Sequence, residues 1–202
     1  GGTKTPHIDK IRKLKPDLIV ANKEENTKES VEELAEDFDV YLSDVSDLDS
    51  MYQMMLELGL ICGHQHIAEN WVNKISLAYT NYKLTNQIKT PHRVAYLIWK
   101  DPYMVACKNT FIHSFLDYTG FINCFENRER YPIVSLNQIL EEKPDVILLS
   151  SEPYPFNQSH FEAFGDNPCA LVDGKIFSWY GSYIFKSFTY LNALKGQLNS
   201  IK

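Results

Sequence analysis

Two spacings of apolar residues alternate along this chain. Ile8, Ile11 and Leu14 recur at helical intervals, and Pro16 stops that turn. Leu18-Ile19-Val20-Ala21 is instead a short unbroken apolar run, as expected of a strand covered on both faces. Thr27 is placed to cap a helix over 28–37, whose acidic first turn suits the helix dipole. Val40–Leu42 reads as a second short strand. Asp47 opens a helix through Leu60 that Gly63 ends.

Residues 65–89 contain neither Gly nor Pro, and Ile67, Trp71, Ile75, Ala78, Tyr82 and Ile88 keep one face apolar. A helix of that length runs roughly 38 Å at 1.5 Å per residue. It can bridge a two-lobed molecule, or it can pack on a single sheet. The strand–helix pattern then restarts. Arg93–Trp99 is a strand, Thr110 caps a helix over 111–118, and Ser135 to Gln138 fits a capping box. Val146–Leu149 and Ala170–Val172 are further buried strands, with a short helix near 159–164 between them. Asp173-Gly174 is expected to turn the last strand back toward Ile176-Phe177, and a final helix covers 184–199.

One phrase occurs twice. KPDLIVANKEEN (15–26) and KPDVILLSSEPY (143–154) both run Lys-Pro-Asp, an apolar burst, then a polar loop, with a glutamate seven residues after the aspartate. Each copy ends in a loop at the carboxyl end of a strand, where ligands of parallel α/β sheets bind. Two lobes with facing strand ends would explain the echo; a common helix-stop-strand phrase recurring by chance is the other reading. The expected fold class is therefore α/β: two small parallel-sheet lobes joined by one long helix. The division is 1–63, a linking helix 64–90, and 91–202.

With 202 residues, 44% hydrophobic and 23% charged, the chain can bury a core. Its net charge of −6 argues against a nucleic-acid partner. No apolar run approaches the ~18 residues of a membrane span, and Gly1–Lys15 has no signal-peptide character. Cys62, Cys107, Cys124 and Cys169 form no CxxC pair and read as buried free thiols, or as disulfide partners in an oxidising compartment.

Catalytic templates are absent: there is no GxSxG, P-loop, GxGxxG or HExxH. His64 and His66 are two apart and splay on a helix, so no catalytic or metal-ligating set is expected. The strand-end loops carry aromatics instead. Trp99 and Tyr103 follow one strand, Glu152 and Tyr154 a second, Trp179 and Tyr180 the last. Such rings make a rigid wall for a large, flat, partly apolar ligand, or else close the lobe core. Lys23, Glu24, Glu25 and Asn26 are the matching first-half candidates, either as ligand contacts or as solvated loop charge.

Read in order, Gly2-Thr3-Lys4-Thr5-Pro6, the first KPD segment, YLIWKDPYMVA (96–106), Thr110-Phe111-Ile112-His113, Tyr131-Pro132, LLSSEPYPF (148–156) and VDGKIFSWYGS (172–182) resemble a known family. It is the class III, helical-backbone substrate-binding proteins of ABC importers, of the cobalamin and ferric-siderophore type. The resemblance implies a non-enzymatic, periplasmic carrier with no cofactor of its own. Its ligand would be a corrinoid, siderophore or related metal chelate, handed to an ABC permease. It implies ligand contacts from Lys23, Glu24, Glu25, Asn26, Trp99, Tyr103, Glu152, Tyr154, Trp179 and Tyr180, and permease docking through Glu29 and Glu162. Members usually begin with a further strand–helix–strand unit, so the first lobe is expected to be incomplete and to favour a homodimer. Cys107 stands where the family pattern leads one to expect glycine. The alternative is a metal-dependent enzyme on a doubly wound scaffold, using Glu24, Glu25 and Glu152.

Overall fold

The computed structural model describes residues 1–86 and 91–199, and these divide into two compact units, Gly1–Val45 and Ser46–Lys202. The division falls before the Asp47-capped helix rather than after Gly63. Both helices of the central region therefore belong to the second unit.

The first unit is a βαβ unit preceded by a helix. Helix α1 (Ile8–Leu14) ends at Lys15, in left-handed conformation (φ 48), just before Pro16. Strand β1 (Ile19–Asn22) pairs in parallel with β2 (Val40–Ser43), from Ile19↔Val40 to Asn22↔Ser43. Helix α2 (Lys28–Ala35) connects them and starts as expected, with the Thr27 side chain accepting from Ser30 N–H. Arg12 binds Asp37 at 2.6 Å and Glu33 at 3.2 Å, which ties α1 to α2 and the turn after it.

In the second unit, α3 (Leu48–Ile61) begins in a capping box between Asp47 and Ser50. Gly63 (φ 70) turns the chain into α4 (Gln65–Thr85). These helices approach closely at Gly59, where an added Cβ would lie 2.4 Å from Ala68 Cβ. Helix α4 is continuous over 21 residues and buries Ala68, Ile75 and Tyr82 along one face, two turns apart. Ile67, expected on that face, is instead 52% exposed. Ile88 lies outside the described residues.

The sheet of this unit has the order β4-β3-β6-β7, with β5 also on β3. Strands β3 (Arg93–Trp99), β6 (Val146–Ser150) and β7 (Cys169–Val172) are mutually parallel. Two-residue strands complete it: β4 (Met104–Val105) runs antiparallel to β3, and β5 (Ile122–Asn123) runs parallel to its start. All five residues of β6 are buried, because helices cover both faces of a parallel sheet. One face packs Ala95, Leu97, Ile147 and Leu149 against Phe125, Ile139, Phe156 and Phe164. On the other, Tyr96 meets Phe177, which meets Phe115. Helix α5 (Phe111–Tyr118) takes the Thr110 cap, and α6 (Leu136–Glu141) takes the Ser135–Gln138 box.

The expected turn at Asp173-Gly174 does not form a hairpin. Asp173 caps a short helix, α7 (Gly174–Ser178), by accepting from Lys175 N–H, so Ile176 and Phe177 are helical. An Asp cap competes with a turn for the same side chain, and here the buried face of α7 decides it. Helix α8 (Ile184–Leu198) closes the unit.

The four cysteines are unpaired. Burial pushes the thiols of Cys107, Cys124 and Cys169 up, to about 12, 11 and 11, so they stay protonated. Cys62, expected to be buried, is exposed at the end of α3. Cys107 fits its position without strain: its N–H donates to Arg130 O at 2.8 Å, and its carbonyl accepts from Thr110 Oγ1.

Candidate ligand-binding site

The aromatic candidates lie where β3, β6 and β7 end. Trp99 is the last residue of β3 and is 40% exposed. Its ring meets Tyr154 edge-on, with centroids 5.7 Å apart. Tyr154 in turn packs on Phe156 and His160. The loop after β6 is held at both ends. Tyr96 Oη donates to Ser150 Oγ, which donates to Glu152 O at 2.6 Å, and Tyr154 N–H donates to Ile98 O. Ser151 Oγ accepts from Gly174 N–H, tying this loop to the start of α7. Gly174 is needed there, because a Cβ would lie 2.4 Å from Ser150 Oγ and 2.6 Å from Glu152 Cγ.

Glu152 Oε1 lies 3.4 Å from Ser178 Oγ, whose hydroxyl donates to Gly174 O at 2.8 Å, so the carboxylate sits beside the end of α7, next to Trp179. Trp179 is half exposed, with Tyr183 against it and Lys175 Nζ 4.9 Å from its centroid. Tyr180 and Tyr103 are placed differently. Tyr180 packs edge-on against Phe111 of α5, and Tyr103 packs on the buried Phe164. The sequence candidates thus divide: Trp99, Glu152, Tyr154 and Trp179 form an edge, while Tyr103 and Tyr180 partly close the core.

In the first unit, the loop after β1 is largely bound to its own neighbours. Asn26 Oδ1 accepts from Asn22 N–H and its Nδ2 donates to Thr3 O, so Asn26 closes the turn. Lys23 pairs with Asp44 at 2.5 Å. Glu25 accepts from Thr3 Oγ1 at 3.0 Å, and the Glu24 carbonyl accepts from Lys4 Nζ. Glu29 (α2) and Glu162, on the 3-10 turn Gln158–Phe164, are both exposed. Among the described residues, no three His, Cys, Asp or Glu side chains converge to hold a metal ion.

Two features escaped the sequence reading. His160 is bonded to Tyr154, at 3.3 Å from Nε2 to Oη. An Asn three residues before a His, at 157–160, is its only local signal, since His160 completes a capping box with Asn157. The second is a cavity of about 520 Å³ lined by Tyr79, Tyr82, Lys83, Asp117 and Tyr118, where α4 and α5 end.

A family model described as periplasmic binding protein matches residues 1–169. The chain belongs to the periplasmic binding protein family. This binding protein is 25% identical over 148 residues to the vitamin B12-binding protein of Vibrio cholerae, a match covering 72% of the chain and 54% of that relative. It spans about half the length of the curated relatives it matches. Among solved structures, the periplasmic vitamin B12-binding protein of Vibrio cholerae superposes with a TM-score of 0.78 at 21% identity, over 98% of this chain and 81% of that one. A periplasmic heme-binding protein in complex with two hemes gives 0.84 at 15% identity, over 97% and 81%. A possible iron-binding protein of Staphylococcus epidermidis gives 0.75 at 18%, over 95% and 80%. These likenesses establish the fold of this binding protein, with its parallel sheets and long α4.

Proposed function

We propose that this periplasmic binding protein captures a flat metal chelate, of the corrinoid, heme or ferric-siderophore class, and delivers it to an ABC permease. The observation that carries the reading is the edge formed by Trp99, Glu152, Tyr154 and Trp179 at the carboxyl ends of three parallel strands. Two large indoles, 40% and 50% exposed, offer apolar area to a ligand at small ordering entropy. Relatives described as binding vitamin B12 support the same ligand class.

Delivery follows from docking through Glu29 and Glu162, whose charge would steer encounter with basic permease residues. Self-association through the first unit belongs to the same reading, supported by the exposed Val20 and Leu42; a monomer at all concentrations in sedimentation removes it.

Tryptophan fluorescence titrated with cyanocobalamin, hemin and a ferric catecholate siderophore tests the proposal. At least one chelate binds with defined stoichiometry. Trp179→Ala weakens it by about 1–3 kcal/mol, the range for a large side chain leaving water. Failure of every chelate to bind would overturn the assignment.

A further inference from the structure

The cavity between the last turns of α4 and α5 lies away from the strand-end edge. Helix α5 runs through Thr119-Gly120-Phe121 into β5, which pairs with Arg93 and Val94 at the start of β3. The cavity is therefore at the amino end of the sheet, whereas Trp99 is the last residue of β3. Its volume of about 520 Å³ has room for a small organic molecule.

Its walls are aromatic. The Tyr79 and Tyr118 rings stand nearly perpendicular, at 85°, with centroids 5.6 Å apart, and Tyr82 follows Tyr79 by one turn of α4. The fold already seats positive charge on two of these rings. Lys83 Nζ lies 5.5 Å from the Tyr79 centroid, and Lys195 Nζ lies 4.9 Å from that of Tyr82. Tyr118, the third ring, carries no such cation among the described residues.

Negative charge gathers at the same place. Burial raises the Tyr118 phenol, and the carboxylates of Asp49, Asp47 and Asp117 push it the same way. Asp47 is committed to its helix cap, but Asp117 lines the cavity and makes no ion pair among the described residues. Helices α4 and α5 both end here, and a helix C-terminus favours a cation. Against this stand the exposed Lys83 and the buried Lys195, whose ammonium is taken up by Thr119 O. Neutral rings under a net negative field hold a weakly hydrated cation; an anion is repelled, and a neutral guest gains nothing from the carboxylates.

We propose that this cavity binds a small organic ammonium ion, with Tyr79 and Tyr118 as its walls and Asp117 as its counter-charge. Lys83 competes with the guest for the Tyr79 face. The site is separate from the chelate edge and does not depend on what binds there.

Choline is the probe. The control is the neutral alcohol in which a tert-butyl group replaces choline's trimethylammonium. Both are titrated into the whole chain and followed by NMR of the aromatic ring protons. Choline shifts the Tyr79 and Tyr118 signals saturably at millimolar concentrations and binds at least about tenfold more tightly than the alcohol, as expected of charge over aromatic rings. Asp117→Asn, a change at an exposed side chain, weakens choline about three- to tenfold. Lys83→Ala strengthens it about two- to threefold, because a like charge leaves. Tyr118→Leu abolishes the shifts, whereas Tyr118→Phe, which keeps the ring and its packing on Tyr79, stays within about threefold of wild type. Equal binding of the alcohol overturns the proposal and leaves only an apolar hole. Choline that shifts the Trp99 or Trp179 indole signals while Tyr79 and Tyr118 stay unmoved also overturns it. So does acetate binding in place of choline, or no shift with any of the three.

Discussion

Lys195→Met removes a buried charge while leaving its partner satisfied. Lys195 is 8% exposed on α8, and its Nζ donates to the carbonyl of Thr119 at the end of α5. That carbonyl also accepts from Tyr82 Oη at 3.0 Å, so it keeps a donor in the variant. Burial lowers the Lys195 ammonium from 10.5 to about 8. Below about pH 8 the lysine is charged in the folded and unfolded chain alike, and its desolvation costs about 3 kcal/mol in full. Between about pH 8 and 10.5 the unfolded chain binds the extra proton, so stability rises with pH. The gain between about pH 7 and pH 9.5 is about 2 kcal/mol. At neutral pH the lost hydrogen bond, and contacts of Nζ with the Tyr82 and Phe121 rings at 4.9 and 5.3 Å, offset the relief. Each of those is worth about 1–2 kcal/mol, so the two proteins are nearly equal in stability there. The diagnostic quantity is the change in their difference. Urea unfolding of both proteins at the two pH values should show wild type gaining about 2 kcal/mol on the variant as pH rises. Other titrating groups, such as the Cys107 and Cys124 thiols, are common to both and cancel. A difference constant to within about 0.5 kcal/mol would refute the burial argument.

Two further substitutions probe packing within the second unit. Gly174→Ala forces Cβ against Ser150 Oγ and Glu152, so it lowers stability by about 1–3 kcal/mol and weakens chelate binding by displacing Glu152; an unchanged melting curve and affinity would contradict the close approach. Tyr52→Phe removes a buried hydroxyl that has no hydrogen-bond partner among the described residues, so it is neutral or stabilises by about 1 kcal/mol in denaturant unfolding, and a loss of that size would reveal an unrecognised partner.

Legibility in the sequence followed from locality. Strand β6 was readable because its apolar run is unbroken and a Lys-Pro-Asp stop precedes it. The caps at Thr27, Asp47, Thr110 and Ser135 were readable because each bonds a backbone N–H three residues on. Strands β4 and β5 went unread, since two residues acquire strand character only from pairing with β3. Ile67 shows the limit of helical periodicity, which identifies an apolar stripe but not the edge at which packing ends. At the site, loop position placed Trp99, Glu152, Tyr154 and Trp179 at strand ends. It could not show that Lys23, Glu25 and Asn26 bind Asp44 and Thr3, partners set by folding. His160 was unread because its role depends on an unusual cap and on a ring that approaches only in three dimensions.

The Tyr96 phenol lies wholly within the core, yet it reaches Glu152 through a single serine hydroxyl. The loop bearing Glu152 is therefore anchored to the sheet's interior before any guest arrives, so little freedom is left for it to lose on capture. In the carrier proposed above, association at this edge should behave as a collision with a ready-made surface: a single-phase association whose rate grows in proportion to chelate concentration, without the plateau that a slow rearrangement would impose.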